Sequence, residues 1–232
     1  MASKSEFTKS VALTRSRGRA ALCLALCMLG LSLSATARDD RKPTIITYDI
    51  PGAGTGAGQR TIGGGIIPNG AILGEYVDAN NVYHGFVRAR DGNITTFDVA
   101  GAKGTNASGI NPAGAIPGVY FDSNGVNHGY VRNKQGAITT FDVPAAGTGA
   151  FQGTLPESIN PSGAITGQYL DASGVNHGFL RDKHGVITTF DAPGAGTGAG
   201  QGTFPTTNNP SDAITGYYMD ANSAFHGFLR IP

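Results

Sequence analysis

The chain has 232 residues and a formal net charge of +1 at pH 7, and glycine accounts for 36 of the residues. The glycine and proline content argues against a helix-dominated fold, because both residues weaken helix interiors. The small net charge argues against nucleic acid as a partner. Hydrophobic residues form 40% of the chain, which is enough for the core of one domain or of two small ones.

The N-terminal end of the chain has the pattern of a secretory signal peptide. Basic residues precede an apolar run over 20–33, and small residues offer a cleavage point after Ala37. The run is shorter than the roughly 20 residues needed to cross a bilayer. We therefore predict a Sec-type signal peptide at 1–37 and a secreted or periplasmic protein with no membrane span after cleavage. A retained membrane anchor is the alternative.

The rest of the chain is predicted to be a linker at 38–43 and one repeat domain at 44–232. Both cysteines, Cys23 and Cys27, lie in the predicted signal peptide. The exported domain would therefore have no disulfide and no thiolate metal site, and packing and hydrogen bonds must hold it together.

Four copies of one sequence unit fill this domain. His-Gly recurs at positions 84, 128, 177 and 226, with spacings of 44, 49 and 49 residues. Each copy reads Ala-Ile-x-Gly-x-Tyr-x-Asp, and His-Gly-[Phe/Tyr]-[Val/Leu]-Arg follows after a gap of five residues. A period of this size indicates a repeat architecture.

Each unit is predicted to contain four short strands. In the third unit they lie near Ile-Asn-Pro at 159–161, in AITGQYLD, in HGFLR and in VITTFD, and turns rich in Gly, Asp, Asn and Ser join them. Their Thr, Ile, Val, Tyr and Phe content is typical of strands.

The phase of the repeat favours a closed ring. The fourth unit ends at HGFLRIP, before its fourth strand, and the domain begins with TIITYDIPGAGTGAG, which matches that strand. Pairing of Thr44–Ile50 with Phe225–Ile231 would complete the last sheet. We therefore predict an all-β fold, a small β-propeller of four four-stranded blades. An arc that closes by dimerising is the main alternative, and an open solenoid is disfavoured because it gains nothing from the permutation.

A family resemblance rests on these repeated residues. The motif Asn-Pro-x-Gly-Ala-Ile-x-Gly, followed by a turn and His-Gly-Phe, resembles the HAF family of probable extracellular repeats over residues 44–232. The resemblance implies a secreted bacterial repeat protein and brings no assigned reaction. The first unit departs from the motif, since Ile67 stands where the other units have Asn111, Asn160 and Asn209.

The polar residues that recur in every unit are interpreted as structural. In a strand, the His, the aromatic residue two positions on and the Arg four positions on point to one face, which in a propeller packs on the next blade. A buried His needs a partner, and the repeated aspartates are candidates. A metal shared by the histidines is the minor alternative. The recurring residues are His84, His128, His177 and His226; Arg88, Arg132, Arg181 and Arg230; Asp78, Asp122, Asp171 and Asp220; and Asp98, Asp142 and Asp191.

Positions that vary while their neighbours stay constant are the candidate ligand contacts. Aromatic and amide side chains on a repeated frame suit a sugar or a peptide. The alternative is that these positions face solvent without constraint. One such strand position holds Glu75, Val119, Gln168 and Tyr217, and the position before each repeated His holds Tyr83, Asn127, Asn176 and Phe225.

No catalytic set can be drawn from the sequence. Glu75, Glu157 and His184 are the only plausible acid or base groups, and they form no Ser-His-Asp or HExxH pattern. The glycine pattern at 52–57 matches a dinucleotide fingerprint, but no helix follows it to receive the phosphates. We therefore predict no cofactor and no metal.

The leading hypothesis is a secreted, non-enzymatic repeat protein that binds a carbohydrate or protein ligand outside the cytoplasm. An extracellular polysaccharide hydrolase or lyase on the same scaffold is one alternative, and a structural surface protein whose repeats serve assembly is another. The sequence leaves the choice between monomer and dimer open.

Overall fold

A computed structural model of the protein describes residues 42–232. The predicted signal peptide and most of the predicted linker lie outside the described residues. No helix within 42–232 is long and apolar enough to cross a membrane. Residues 47–232 form one compact unit.

Fifteen strands make up this part of the chain, so the predicted all-β fold is confirmed. They fall into four consecutive units that match the sequence repeats. Unit 1 contains β1 (Arg60–Ile66), β2 (Ile72–Val77), β3 (Tyr83–Arg88) and β4 (Ile94–Phe97); unit 2 contains β5 (Gly104–Ala107), β6 (Ile116–Phe121), β7 (Asn127–Arg132) and β8 (Ile138–Phe141); unit 3 contains β9 (Gly153–Ile159), β10 (Ile165–Leu170), β11 (Asn176–Arg181) and β12 (Ile187–Phe190); unit 4 contains β13 (Gly202–Asn208), β14 (Ile214–Met219) and β15 (Phe225–Arg230).

Each unit is an antiparallel meander. In unit 3, Tyr169 of β10 lies opposite both Thr154 of β9 and His177 of β11. Tight turns connect the strands, and glycine or another residue with positive φ occupies many of them. The only strand pairings between units within the described residues are two short parallel bridges, one from Asn127 to Gly153 and one from Asn176 to Gly202.

The units stack in an open row, and no sheet closes on itself. One sheet contains β1–β4, and the other runs through β5–β15. No ladder joins residues 47–50 to β15. Ile50 is only 2% exposed and packs with Tyr76 and Phe86 of unit 1. The predicted ring closure through Thr44–Ile50 and Phe225–Ile231 is therefore not supported, since the described end of that segment contributes to the core of the first unit instead.

Aromatic and arginine side chains form the joint between units. Phe141 at the end of β8 meets Phe179 of the next unit edge to face, with ring centroids 6.2 Å apart. Arg181 of that next unit lies over the same Phe141 ring at 4.8 Å. The joint recurs with Phe97 under Arg132 at 4.8 Å and with Phe190 under Arg230 at 5.1 Å. The repeated arginines of units 2–4 therefore pack on the preceding unit through cation–π contacts.

Buried polar groups extend the joint along the stack. The backbone N–H of Val143 donates to the hydroxyl of Thr154, which is fully buried in the next unit. An asparagine ladder runs alongside, because the amide of Asn111 donates to the carbonyl of Asn160, and the amide of Asn160 donates to the carbonyl of Asn209. Ile67 takes the same place in unit 1, so the ladder begins at the second unit.

Candidate functional site

The repeated histidines of units 1–3 lie within their own units, each between two carboxylates. His177 Nδ1 lies 2.9 Å from Asp191, and its Nε2 lies 3.5 Å from Asp171. The imidazole also stacks on Tyr169 with ring centroids 4.9 Å apart. The same arrangement surrounds His84, where Nδ1 lies 2.9 Å from Asp98, and His128, where Nδ1 lies 3.0 Å from Asp142.

This geometry supports a structural role for the histidines. Both ring nitrogens face carboxylates of the same unit, so neither is directed at a substrate as a general base would be. The carboxylates have their own backbone partners: the N–H of Val82 lowers the pKa of Asp78, and that of Val126 lowers the pKa of Asp122. Within residues 42–232, no group of three His, Cys, Asp or Glu side chains is arranged to hold a metal.

The residues that depart from the repeat pattern converge on a cleft between units 1 and 2. The cleft has a volume of about 550 Å³. Among its lining residues are three aromatic side chains, two cations and two amides: Tyr83, Phe121, Phe151, Arg60, Lys103, Asn106 and Asn127. This composition, apolar faces with a few polar groups, is typical of small-ligand sites.

Arg60 borders the first side of the cleft at a position that is glycine elsewhere. Gly153 and Gly202 occupy this position in units 3 and 4, and a Cβ atom there would overlap the backbone of the preceding unit. Within residues 42–232 no repeat unit precedes unit 1, so an arginine fits there. Its guanidinium donates to Glu75 at 3.0 Å and lies 5.3 Å from the centre of the Tyr83 ring. The bond to Glu75 raises the pKa of Arg60.

The shortened loop between units 1 and 2 forms the second side. The backbone N–H of Lys103 donates to the carbonyl of Phe121, which fixes Lys103 beside that ring. The Phe121 and Tyr83 rings meet edge to face, with centroids 6.1 Å apart. Two buried polar atoms on the cleft residues, Asn106 Oδ1 and Arg60 Nε, have no protein partner within the described chain. Unpartnered buried polar atoms in a cleft are a feature that a bound ligand explains.

Phe151 forms the third side and carries the clearest sign of a function. It stands where the equivalent loops have Gly58 and Gly200, and like them it has a positive φ, 65°. A bulky side chain in this conformation is a backbone outlier. The ring is nevertheless 81% exposed, so burial of the side chain does not offset the strain. Strain of this kind tends to be kept where it serves a site.

The backbone around Phe151 holds the exposed ring in place. Its N–H donates to the carbonyl of Gly125 at 2.8 Å, and its carbonyl accepts from the amide of Asn127 at 3.0 Å. The next residue, Gln152, closes the loop by accepting from Gly149 and donating to Ala172. The ring is thus presented by a loop that is fixed on both sides.

Some of the predicted ligand contacts lie at the cleft, and the others lie elsewhere in the structure. Tyr83 and Asn127 line the cleft, and Glu75 reaches it through Arg60. Asn127 and Asn176 are buried and donate to the loop of the following unit. Gln168 lies half-buried in the middle of β10. Tyr217 and Phe225 lie far along the chain in unit 4, where Tyr217 stacks on Phe204 with centroids 4.8 Å apart.

The three candidate acid or base groups do not form a catalytic group. Glu75 is in an ion pair with Arg60. Glu157 is the extra residue in the bulge of β9, and its side chain is exposed. His184 lies in the turn after β11, where its backbone N–H donates to Asp182. No hydrogen bond or ion pair within the described chain joins any two of the three.

Sequence reasoning missed Arg60, Phe121 and Phe151 as members of the site. A signal for two of them was present, because aligned units show Arg60 and Phe151 replacing glycine. Lys103 gives a weaker signal, since it lies in the loop between units 1 and 2, which is five residues shorter than the equivalent loops. The comparisons add nothing to the geometry: no family model matches this sequence, and no curated protein shows significant similarity to it.

Proposed function

We propose that this protein is a secreted, non-enzymatic β-repeat protein that binds a carbohydrate at the Tyr83–Phe121–Phe151 cleft. The observation that carries the proposal is the convergence of non-repeat residues on one site, with Phe151 kept exposed at a positive φ where other units have glycine. A residue retained at a cost in backbone strain, with few contacts of its own, is explained by contacts to a ligand.

The chemistry of the cleft favours a sugar, in particular one that carries an acidic group. Aromatic rings stack on the apolar faces of sugar rings, and amides such as Asn106 accept and donate hydrogen bonds to hydroxyl groups. Lys103 supplies a positive charge that is suited to a carboxylate or sulfate. Arg60 supplies a second positive charge, although the ion pair with Glu75 offsets part of it.

Among residues 42–232, the carboxylates at the cleft are already engaged by other groups, which favours binding over turnover as the proposed function. Glycoside hydrolysis ordinarily needs two carboxyl groups facing across the scissile bond. Asp122 borders the cleft, but its carboxylate accepts hydrogen bonds from the backbone of Val126 and Asn124. Glu75 is paired with Arg60. Neither carboxylate is therefore free to act as the protonated acid.

The test is a glycan array with neutral and acidic oligosaccharides, followed by titration of the best binder. We expect Phe151→Gly to weaken binding about tenfold or more, which corresponds to about 1.4 kcal/mol. Lys103→Ala should weaken the binding of acidic sugars and leave the binding of neutral sugars unchanged. Gly200→Phe, which adds the same side chain to the next loop, is the matched control and should not strengthen binding. An array without signal would contradict the proposal. If acidic peptides bind and sugars do not, the ligand of the cleft is a peptide and the carbohydrate proposal is wrong.

Secretion and membership of the HAF-type repeats are parts of the same proposal. The basic region, the apolar run over 20–33 and the small residues before position 38 support export. Expression in a bacterium and N-terminal sequencing of the exported protein should give a mature chain that begins at Arg38. An unprocessed chain in the membrane fraction would favour the retained anchor instead.

A further inference from the structure

Unit 4 has three strands within the described residues, and the outer side of the last one is apolar. Units 1–3 each have a fourth strand, whereas unit 4 ends at β15, whose outer edge has no partner in the described chain. Leu229 is 67% exposed and Phe225 64% exposed. The equivalents of Leu229 in units 1 and 2, Val87 and Val131, pack against core clusters that include residues of the following unit. Repeat stacks normally have a polar face at each end, and unpaired edge strands are normally protected.

The N-terminal segment of the domain has the sequence of the missing strand. Residues 45–50 read IITYDI, and the fourth strand of unit 3 with the two residues after it reads ITTFDA over 187–192. In unit 3 this strand pairs with β11 so that Leu180 faces Thr188 and Gly178 faces Phe190. By the same register, Ile46 would face Leu229, and Tyr48 would face Gly227.

The N-terminal segment already makes half of the contacts that a fourth strand makes. At an internal joint, the strand pairs with its own unit, and its aromatic residue packs on the next unit. Tyr48 makes only the second contact, with Arg88 5.0 Å from the centre of its ring. The N–H of Ile50 donates to Thr61 of unit 1 at 3.3 Å, as Val143 does to Thr154 at 2.9 Å. Residues 47–50 do not pair with any strand of the two sheets.

The histidine of unit 4 lacks the partner that this strand would bring. In units 1–3 the Nδ1 atom of the repeated His bonds to the Asp that follows the fourth strand. Within the described residues, His226 bonds only to Asp220, through Nε2 at 3.3 Å. Asp49 is the residue that aligns with Asp191, so pairing of the segment with β15 would supply the second carboxylate.

At the two ends of the stack, two positions differ from their equivalents at the internal joint. The bridge between units 3 and 4 uses Asn176 and Gly202. At the open ends these two positions hold Phe225 and Arg60. Arg60 excludes the glycine bridge, and an aromatic ring with a guanidinium is instead a pair suited to a cation–π contact.

We propose that β15 of one chain takes residues 45–48 of a second copy as its fourth strand, so that chains join head to tail. Within one chain, β15 lacks the strand that would pair with it, and the N-terminal segment packs on unit 1 without pairing with a strand. Stacking of two copies would supply both missing contacts. Such an interface is heterologous, so it produces a linear chain of molecules, or a ring if the rotation closes. The inference does not depend on the ligand proposed above.

Cysteine crosslinking between two different variants of the full chain tests the pairing directly. Both carry Cys23→Ser and Cys27→Ser; one adds Ile46→Cys, and the other adds Leu229→Cys. On mixing and mild oxidation, we expect a disulfide-linked heterodimer to be the main product. The control replaces Leu229→Cys with Val186→Cys, a residue of similar exposure, 62%, on a turn outside the joint, and it should crosslink several-fold less.

Light scattering at rising concentration supplies the second readout. The native chain should exceed its monomer mass of 23.7 kDa by roughly twofold or more. Leu229→Lys should return it to the monomer, and Val186→Lys should not. A native chain that stays monomeric, or equal crosslinking by the Leu229→Cys and Val186→Cys variants, would overturn the proposal. A disulfide within one chain carrying both Ile46→Cys and Leu229→Cys, with no product between chains, would instead restore ring closure.

Discussion

Replacement of Phe151 with glycine should remove ligand binding without weakening the fold. The exposed ring loses few contacts: 81% of the residue is already accessible, so burial of the remainder contributes only about 0.5 kcal/mol. Release of a bulky residue from positive φ should return about 1–2 kcal/mol. The greater freedom of glycine in the unfolded chain costs about 0.5–1 kcal/mol. The net change in the free energy of unfolding should therefore lie within about 1 kcal/mol of zero.

The assay is urea denaturation of the native chain, Phe151→Gly and Gly200→Phe under identical conditions. Gly200 has a φ of 79° and no heavy atom within 4 Å of the place where a Cβ would stand, so a phenylalanine there introduces strain without a clash. Strain of about 1–2 kcal/mol is offset in part by about 0.5–1 kcal/mol because phenylalanine has less freedom than glycine in the unfolded chain, so we expect Gly200→Phe to lose about 0–1.5 kcal/mol. A loss of more than about 2 kcal/mol in Phe151→Gly would refute the reasoning, because Phe151 would then be a packing residue.

Three further predictions concern the stack. Thr154→Val leaves the buried N–H of Val143 without an acceptor and should cost about 1–3 kcal/mol in urea denaturation; a neutral effect would contradict the role of this bond. Gly167→Ala places a Cβ against the carbonyl of Leu155, so a loss of at least about 1–3 kcal/mol is expected, and an unchanged midpoint would show that the strands can separate there. The turn carboxylates have folded pKa values below their unfolded ones, so their contribution is present above about pH 4 and is lost as pH falls through the folded pKa. Thermal melts between about pH 6 and pH 3 should show that decline, and a flat profile would contradict the pKa directions found for Asp78, Asp122, Asp171 and Asp220.

Local features of the fold could be predicted from the sequence because each unit specifies its own strands. Alternation within AITGQYLD and the Asp-Gly or Ser-Gly turns act over a few residues, and the structure places strands there. Closure depends instead on the rotation between units, which is set by joints such as Phe141 with Phe179 and by bridges such as Asn127 with Gly153. Four repeats in the right phase are compatible with a ring and with an open row, and the sequence pattern does not distinguish them.

The candidate site was harder to predict because its members come from five separate segments, at 60, 83, 103–106, 121–127 and 151. Tyr83 was identified from its variation between units, whereas the role of Asn127 depends on a loop 24 residues away that accepts its amide. Phe151 and Arg60 become informative only when the units are aligned and the glycine positions are known to have positive φ or a close neighbour. Departures from a repeat were therefore the useful signal, and their meeting in one cleft required the structure.

The most direct test of the binding site is an NMR titration of isotope-labelled protein with the strongest oligosaccharide from the array. The largest shifts should fall on Tyr83, Lys103, Phe121 and Phe151, and the equivalent positions in units 3 and 4 should stay unchanged. Shifts of equal size at all four units, or shifts centred on Tyr217 and Phe225, would contradict a single cleft built from the residues that break the repeat.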